Sequence, residues 1–397
     1  MESLLWCSSC AVLDWIFTDR PTVNFPARRA VRTLENGAHL DQARNAARDV
    51  GLHVTEGDNW TVLWSYRTPW DSKLFKKRVA QRPSPPSLFN HLPGTLRLAS
   101  KAHLPELVRS AGLSDAIPLS FLLPEENAAA RKAIAVDGVL GPGNWPKWVV
   151  KSKKHRGIRV LLNATPSTLA AAAPAIVQRR VEPLLLRKVR RAFDVGLYVL
   201  VTSVRPLRVY VYDLALVRFC ETEFPTTAAG FTADIRSYVV SHYKPIWSLA
   251  HFASSLRACN DSAACALRRE LTVDGHDAEL IWSRMRSLVA RLLMVLLPHV
   301  YSGLSRLELD NENVFELFRF DFLVDERGAP VLTEVNLSPN LVPASPQDGK
   351  VKAALVRDAL LLVMVRFEVP FDPGSPRTKL LEAAEARKLG GFQRVQI

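Results

Sequence analysis

The sequence predicts an α+β fold, on three observations. Residues 315–341 read as two strands joined by a turn. Residues 194–219 read as a second hairpin, and residues 278–297 carry the apolar stripe of a long helix. Strands and helices mix without a regular βαβ alternation, which argues against a parallel doubly wound sheet. In the first hairpin Phe318, Phe320, Phe322 and Val324 alternate with Arg319, Asp321 and Leu323. Val331, Thr333 and Val335 alternate likewise with Leu332, Glu334 and Asn336. That period belongs to strands with one packed face. Asp325-Glu326-Arg327-Gly328 between them has turn composition.

The other elements follow in chain order. Residues 1 to about 40 show no clear period. Residues 51–64 read as strand, turn and strand, and Pro83 to Pro86 mark a loop. Residues 101–111 form a short helix with Leu104, Leu107 and Val108 on one face. Residues 117–124 are extended, 125–135 helical, and Trp148 to Lys151 a short strand before a basic loop, 152–159. Residues 169–173 are a short helix, and 176–186 are extended with a break at Pro183. Asp194 to Val204 and Leu207 to Phe219 pair across Arg205-Pro206. The 278–297 helix buries Ile281, Met285, Leu288, Leu292 and Val295. Residues 350–367 are helical, and those after Pro370 are expected to trail as a tail.

A chain of 397 residues is long for one core, so two or three subdomains are expected. Its 52 Lys and Arg against 39 Asp and Glu give a net charge of +13, which favours anionic partners. No Arg-rich tail or aromatic-basic signature points to nucleic acid. Cys7-Ser-Ser-Cys10 has metal spacing, but no second pair completes a zinc set. Cys259 and Cys265 flank a polar loop and would bond in an oxidising compartment, or remain thiols in a reducing one. Residues 288–295 are interrupted by Arg291, so no membrane span is expected. The apolar N-terminus lacks the basic region of a signal peptide.

The hairpin carries the chemistry. If it is symmetric about Arg327-Gly328, Asp321 faces Glu334, and Asn336 shares the face of Glu334. Opposed carboxylates repel, and a hard cation between them reverses that sign. Magnesium takes one or two carboxylates plus phosphate oxygens. The alternative is a solvated outer face.

Taken in order, the motifs resemble those of the tubulin–tyrosine ligase-like proteins, amino-acid ligases of ATP-grasp fold. They are VLWS at Val62, NHLPG at Asn90, PLSFLLPEE at Pro118, WVVK at Trp148, HRGI at His155, QRRVEPLLL at Gln178, FDVGLYVLVTSVRPLRVYVY at Phe193 and LVRF at Leu216. The pair FELFRFDFLVD and EVNLSPNL completes the set, and the match runs from about residue 59 to 367. The resemblance implies a small N-terminal α/β subdomain (45–100) after an extension (1–44). It further implies a central ATP-grasp subdomain (101–180), a C-terminal one with the metal site (181–370), and the tail (371–397). It implies ATP and Mg²⁺ as cofactors, with Asp321, Glu334 and Asn336 as metal ligands. Lys151 and Lys101 would reach phosphates, Arg156 and Gly157 would belong to the phosphate-covering loop, and Gln178, Val181, Glu182 and Leu184 would border adenine. Arg218 would face the reacting carboxylate or acyl phosphate, with Asp194 in the same site.

The resemblance also implies a function: glutamate ligated to an acidic tail such as that of tubulin, in the cytoplasm on microtubules. Were an upstream segment missing, the secretory lumen is the alternative. The pattern breaks where the family carries Lys-Phe-Asp-x-Arg and this chain has Ala192-Phe193-Asp194-Val195-Gly196. The family's His-Leu-Thr-Asn is absent, and Ser152 stands for the proline after the lysine. A cation lost from such a site commonly costs ~10²–10³ in rate. A catalytically weak binder of nucleotide or acidic polypeptide, or a ligase for another acceptor, are the competing expectations. Arg205 and Arg208 are candidate replacements, and Ala192→Lys with Gly196→Arg is expected to raise turnover if the surroundings are unchanged.

Overall fold

A computed structural model describes residues 29–81, 87–152, 157–240, 243–369 and 377–397, with three sheets among them. The first is parallel, in the order β2 (His53–Val54), β1 (Ala30–Thr33), β3 (Val62–Trp64), β4 (Leu88–Phe89). The two strands read in 51–64 are therefore present, but each pairs with β1 instead of with the other. Parallel pairing needs crossovers, and the helix Asp41–Asp49 supplies the one from β1 to β2. The expected boundary at residue 44 falls inside that helix, and β1 lies within the segment expected as an extension. Four residues, AVRT, are too short to show a period.

The second sheet is antiparallel, in the order β5 (Ser120–Leu123), β8 (Ala175–Arg179), β6 (Trp148–Ser152), β7 (Ile158–Leu161). Phe121, Leu123, Trp148 and Val177 form its packed face with Ile134 and Leu169 from the helices Asn127–Asp137 and Pro166–Ala172.

The third sheet holds the site. Its centre is β9 (Phe193–Val204), buried along its whole length, which explains its near-continuous apolar run. On one edge β10 (Leu207–Tyr212) and then β11 (Leu216–Cys220) both run antiparallel to it. The expected hairpin is thus real, with its second limb broken at residues 213–215. β12 (Tyr243–Pro245) adds to β11. The other edge of β9 carries β13 (Glu316–Val324), which pairs with β14 (Pro330–Asn336). β15 (Phe392–Arg394) pairs with β10, so the chain after residue 377 is docked on the sheet and is not a trailing tail.

The helix Ala278–Arg306 packs Ile281, Met285, Leu288 and Leu292 into the main core, as the stripe requires. Each such side chain contributes about 1.5–3 kcal/mol on burial. Against the sequence reading, its length and composition are sufficient to cross a membrane, while 50% of its most apolar window is buried within the molecule. It also meets the NHLPG turn closely. Gly94 has φ of +87° and a Cβ there would stand 2.6 Å from the His299 carbonyl oxygen, so only glycine serves.

Candidate active site

β9, β11 and β13 bring four charged side chains to one face. Asp194 on β9 lies directly opposite Arg218 on β11. The two form a forked pair: Arg218 Nε donates to Asp194 Oδ1 at 2.8 Å and Nη2 to Oδ2 at 2.5 Å. Arg218 Nη2 also donates to Asp321 Oδ2 at 3.1 Å. From β13, Arg319 grips Asp321 with Nε to Oδ1 at 2.6 Å and Nη2 to Oδ2 at 2.8 Å. Burial works against ionisation of Asp321, but Arg319 and Arg218 outweigh it and hold its carboxyl below the usual range. Burial wins at Asp194 and pushes it up, despite Arg218. Chain order gave no sign of this alternating network, because its links cross between strands far apart in sequence.

The turn symmetry holds where it matters. Asp321 faces Glu334 and Arg319 faces Asn336 across β13 and β14; the register then slips at a bulge between Asp321 and Phe322, so that Phe322 pairs with Leu332. Asn336 Nδ2 donates to Asp321 Oδ2 at 3.2 Å, and Thr333 Oγ1 to the Asp321 carbonyl at 2.9 Å. Among the described residues no group of three or more His, Cys, Asp and Glu forms a metal centre. Two carboxylates with an amide are nonetheless hard oxygen donors. Asp321 Oδ1 accepts a single hydrogen bond out of the two its lone pairs allow. Such a set fits magnesium, which completes its shell with phosphate and water oxygens.

Asp194, Arg218, Asp321 and Glu334 open onto a cleft of about 540 Å³. Lys151, at the end of β6, and Lys101 line the same cleft. Burial and the neighbouring Lys101 charge lower the Lys151 ammonium to about 8, against the opposing pull of Glu334. Gly157 borders the cleft with φ of +119°; Arg156 lies outside the described residues, as do Cys7 and Cys10. Gln178 lines it too, its Nε2 donating to Ser120 Oγ at 2.8 Å, and Val181 follows at the rim. Leu184 and Glu182 are placed elsewhere. Leu184 is 3% exposed in the main core, with its amide bonded to the Val324 carbonyl at 2.8 Å. Glu182 pairs with Arg180. Val181 and Pro183 line the cleft, and Glu182 and Leu184 alternate with them away from it.

The far end of the cleft is apolar. Ala192 packs there with Cys220, Phe224 and Phe231, and burial pushes the Cys220 thiol up to about 12. Arg180 enters from the strand β8 side, its guanidinium 5.0 Å from the Phe231 ring centre. Arg205 instead stacks on Tyr301 at 4.3 Å, and Arg208 pairs with Glu385 at 2.8 Å. Neither replaces a cation of the site. A side chain at 196 would strike Arg319, so the surroundings do not leave room for the double restoration. Arg319 and Arg180 carried no assigned role in the sequence reading. The alternation that placed Asp321 on the site face also placed Arg319 there.

Residues 79–372 match the family described as the tubulin-tyrosine ligase family. The chain belongs to that family. Family relatives include the probable tubulin polyglutamylase ttll-15 of Caenorhabditis elegans, 32% identical over 71% of this chain and 52% of that protein. The human tubulin monoglutamylase TTLL4 is 29% identical over 77% of this chain and 25% of its own length. The human tubulin polyglutamylase TTLL5 is 27% identical over 83% and 26%. The chain thus spans about half the length of the nematode relative and about a quarter of the human ones.

Cys259 and Cys265 are bonded to each other, with 5.7 Å between their Cα atoms. The bond joins the end of the helix Ala253–Ala258 to the helix Ala263–Val273.

Proposed function

We propose that this tubulin–tyrosine ligase family member is an ATP-grasp ligase that joins an amino acid, glutamate first among candidates, to a carboxylate of an acidic protein tail such as tubulin's. The observation that carries the proposal is the Asp321–Glu334 pair opposed across a ladder at a cleft that also holds Lys151 and Lys101. Bound magnesium would be held by Asp321, Glu334 and Asn336 and would offset the charge of the nucleotide phosphates. Lys151 and Lys101 neutralise the phosphate chain. Gln178 and Val181 border the base, and Arg218 orients the carboxylate that is to be activated. The +13 surplus suits an acidic polypeptide. Microtubule association in the cytoplasm follows from that acceptor. The Cys259–Cys265 bond favours the second reading, an oxidising lumen.

Glu334→Gln tests the site. The expected result is loss of Mg²⁺-dependent ATP binding in calorimetry with an unchanged melting temperature, since Glu334 is only half-buried. Unchanged affinity sinks the assignment.

A second outcome follows from Lys151. With its ammonium near 8 in the free protein, nucleotide phosphates will draw it back to the charged form, since an anion favours a cation. Binding at pH 8 should take up roughly half a proton. The apparent heat will then depend on the ionisation heat of the buffer, and Lys151→Met should abolish that dependence. Equal heats for the unmodified protein in two such buffers count against Lys151 as a phosphate ligand.

A further inference from the structure

We infer that Arg319 supplies the positive charge of the β9 face from the neighbouring strand, across the bare backbone of Gly196, and is the positioning residue of Asp321. The inference rests on the nucleotide-site reading above and deepens it.

The strand β9 brings a carboxylate, Asp194, and no lysine or arginine. In its interior stands Gly196, on a strand buried throughout. Glycine weakens a strand and marks close approach by another group. Here that group is identifiable. A Cβ at 196 would lie 2.9 Å from Arg319 Cδ, 3.3 Å from Arg319 Cγ and 2.9 Å from Asp321 Oδ1. Asp321 is the residue opposite Gly196, and Arg319 lies opposite Tyr198. Positions two apart on a strand share a face. Arg319 therefore leans along β9 over Gly196, and both its Nε and one Nη meet Asp321.

The seat is built for a guanidinium. Arg319 is 8% exposed, and the fork matches a carboxylate in a way that a lysine does not. Arg218 holds the other flank of Asp321. Arg319 is absent from the cleft wall, so it acts through Asp321 and not on substrate. Its two contacts fix the Asp321 rotamer, which sets where that carboxylate points relative to Glu334. Partners of that kind, which orient a metal ligand, commonly control 10–100-fold of metal affinity.

The test is a cycle on the whole chain, read by calorimetric titration of Mg²⁺ with ATP and by thermal melting. Gly196→Arg and Arg319→Gly are each expected to weaken Mg²⁺·ATP binding roughly tenfold or more. The double variant moves the arginine to β9 and vacates its former seat. It is expected to return to within about twofold of the unmodified protein, the tolerance of such cycles. Additive losses in the double variant overturn the inference. If either single variant fails to fold, Gly196→Ala and Arg319→Lys decide. The first adds the Cβ that Arg319 excludes, and the second keeps the charge without the fork; unchanged Mg²⁺·ATP affinity in either overturns the inference. If the unmodified protein binds no Mg²⁺·ATP, the site reading fails and the inference falls with it. Binding by the unmodified protein with an unaffected Arg319→Lys defeats the inference alone.

Discussion

Arg218→Ala is expected to lower the unfolding free energy at pH 7 by about 3–5 kcal/mol, the range for breaking a buried ion pair. Arg218 is the only partner that touches both Asp194 and Asp321 among the described side chains. Both carboxylates are nearly inaccessible, at 3% and 2% exposure. Without the guanidinium, Asp194 loses its cation while burial already raises its pKa. Its pKa in the folded variant then lies still further above the value near 3.9 of an unfolded aspartate. A group raised on folding adds stability as pH falls through the folded value. The deficit should therefore be smaller at pH 5 than at pH 7. Urea unfolding at both pH values measures it, with Arg218→Lys recovering only part because the fork is lost. An equal deficit at the two values would show that the stranded carboxylates are not its source. Nucleotide binding is expected to fall with stability, since Arg218 also steadies Asp321. An arginine that only faced the reacting carboxylate, as the resemblance implies, would affect turnover far more than ATP binding. The direct contact between Arg218 and a proposed metal ligand removes that separation.

The residues explain which parts of this arrangement were legible. Period-two alternation fixed β13 and β14, and symmetry about Arg327-Gly328 gives the register that holds from Asp321 outward, away from the turn. The bulge between Asp321 and the turn was not legible, because one unpaired residue changes pairing without changing composition. Lys151, Lys101, Gln178 and Gly157 could be placed by their motifs, and the fold gathers them in one cleft. The Gly196–Arg319 relation could not be read, since it needs the pairing of β9 with β13, far apart in the chain. Leu184 lies in the core because the segment after Gln178 is tied to the end of β13, Pro183 bridging to Asp325 and the Leu184 amide bonding to the Val324 carbonyl, contacts distant in sequence. At the N-terminus, β1 and β2 are too short for a period to appear.

The same limit hid the C-terminal docking, where Glu385→Ala is expected to cost about 3–5 kcal/mol. Glu385 sits on the helix Arg377–Ala386 and is 1% exposed. Tyr210 Oη donates to its Oε2 at 2.6 Å, and Arg208 stands 2.8 Å from the same oxygen. Both partners belong to β10, the strand that β15 extends. Arg208 is 2% exposed, so alanine at 385 leaves a buried guanidinium without its carboxylate. A second anchor lies beside it. Asp358 Oδ2 accepts from the Gly391 amide at 2.9 Å and from Tyr212 Oη at 3.1 Å, while Phe392 is 2% exposed. Removing residues 371–397 would strip both anchors and bare the β10 edge, a template for pairing with other chains. Truncation at 370 should therefore yield aggregation, and Glu385→Ala a soluble protein of lower urea midpoint. Glu385→Gln separates charge from hydrogen bonding: it keeps an acceptor for Tyr210 and still strands Arg208. If the loss comes from the unpaired guanidinium, Glu385→Gln will lie close to Glu385→Ala. Full stability of Glu385→Gln would place the anchor in the Tyr210 hydrogen bond, and full stability of the truncated chain would show that residues beyond 370 do not support the sheet.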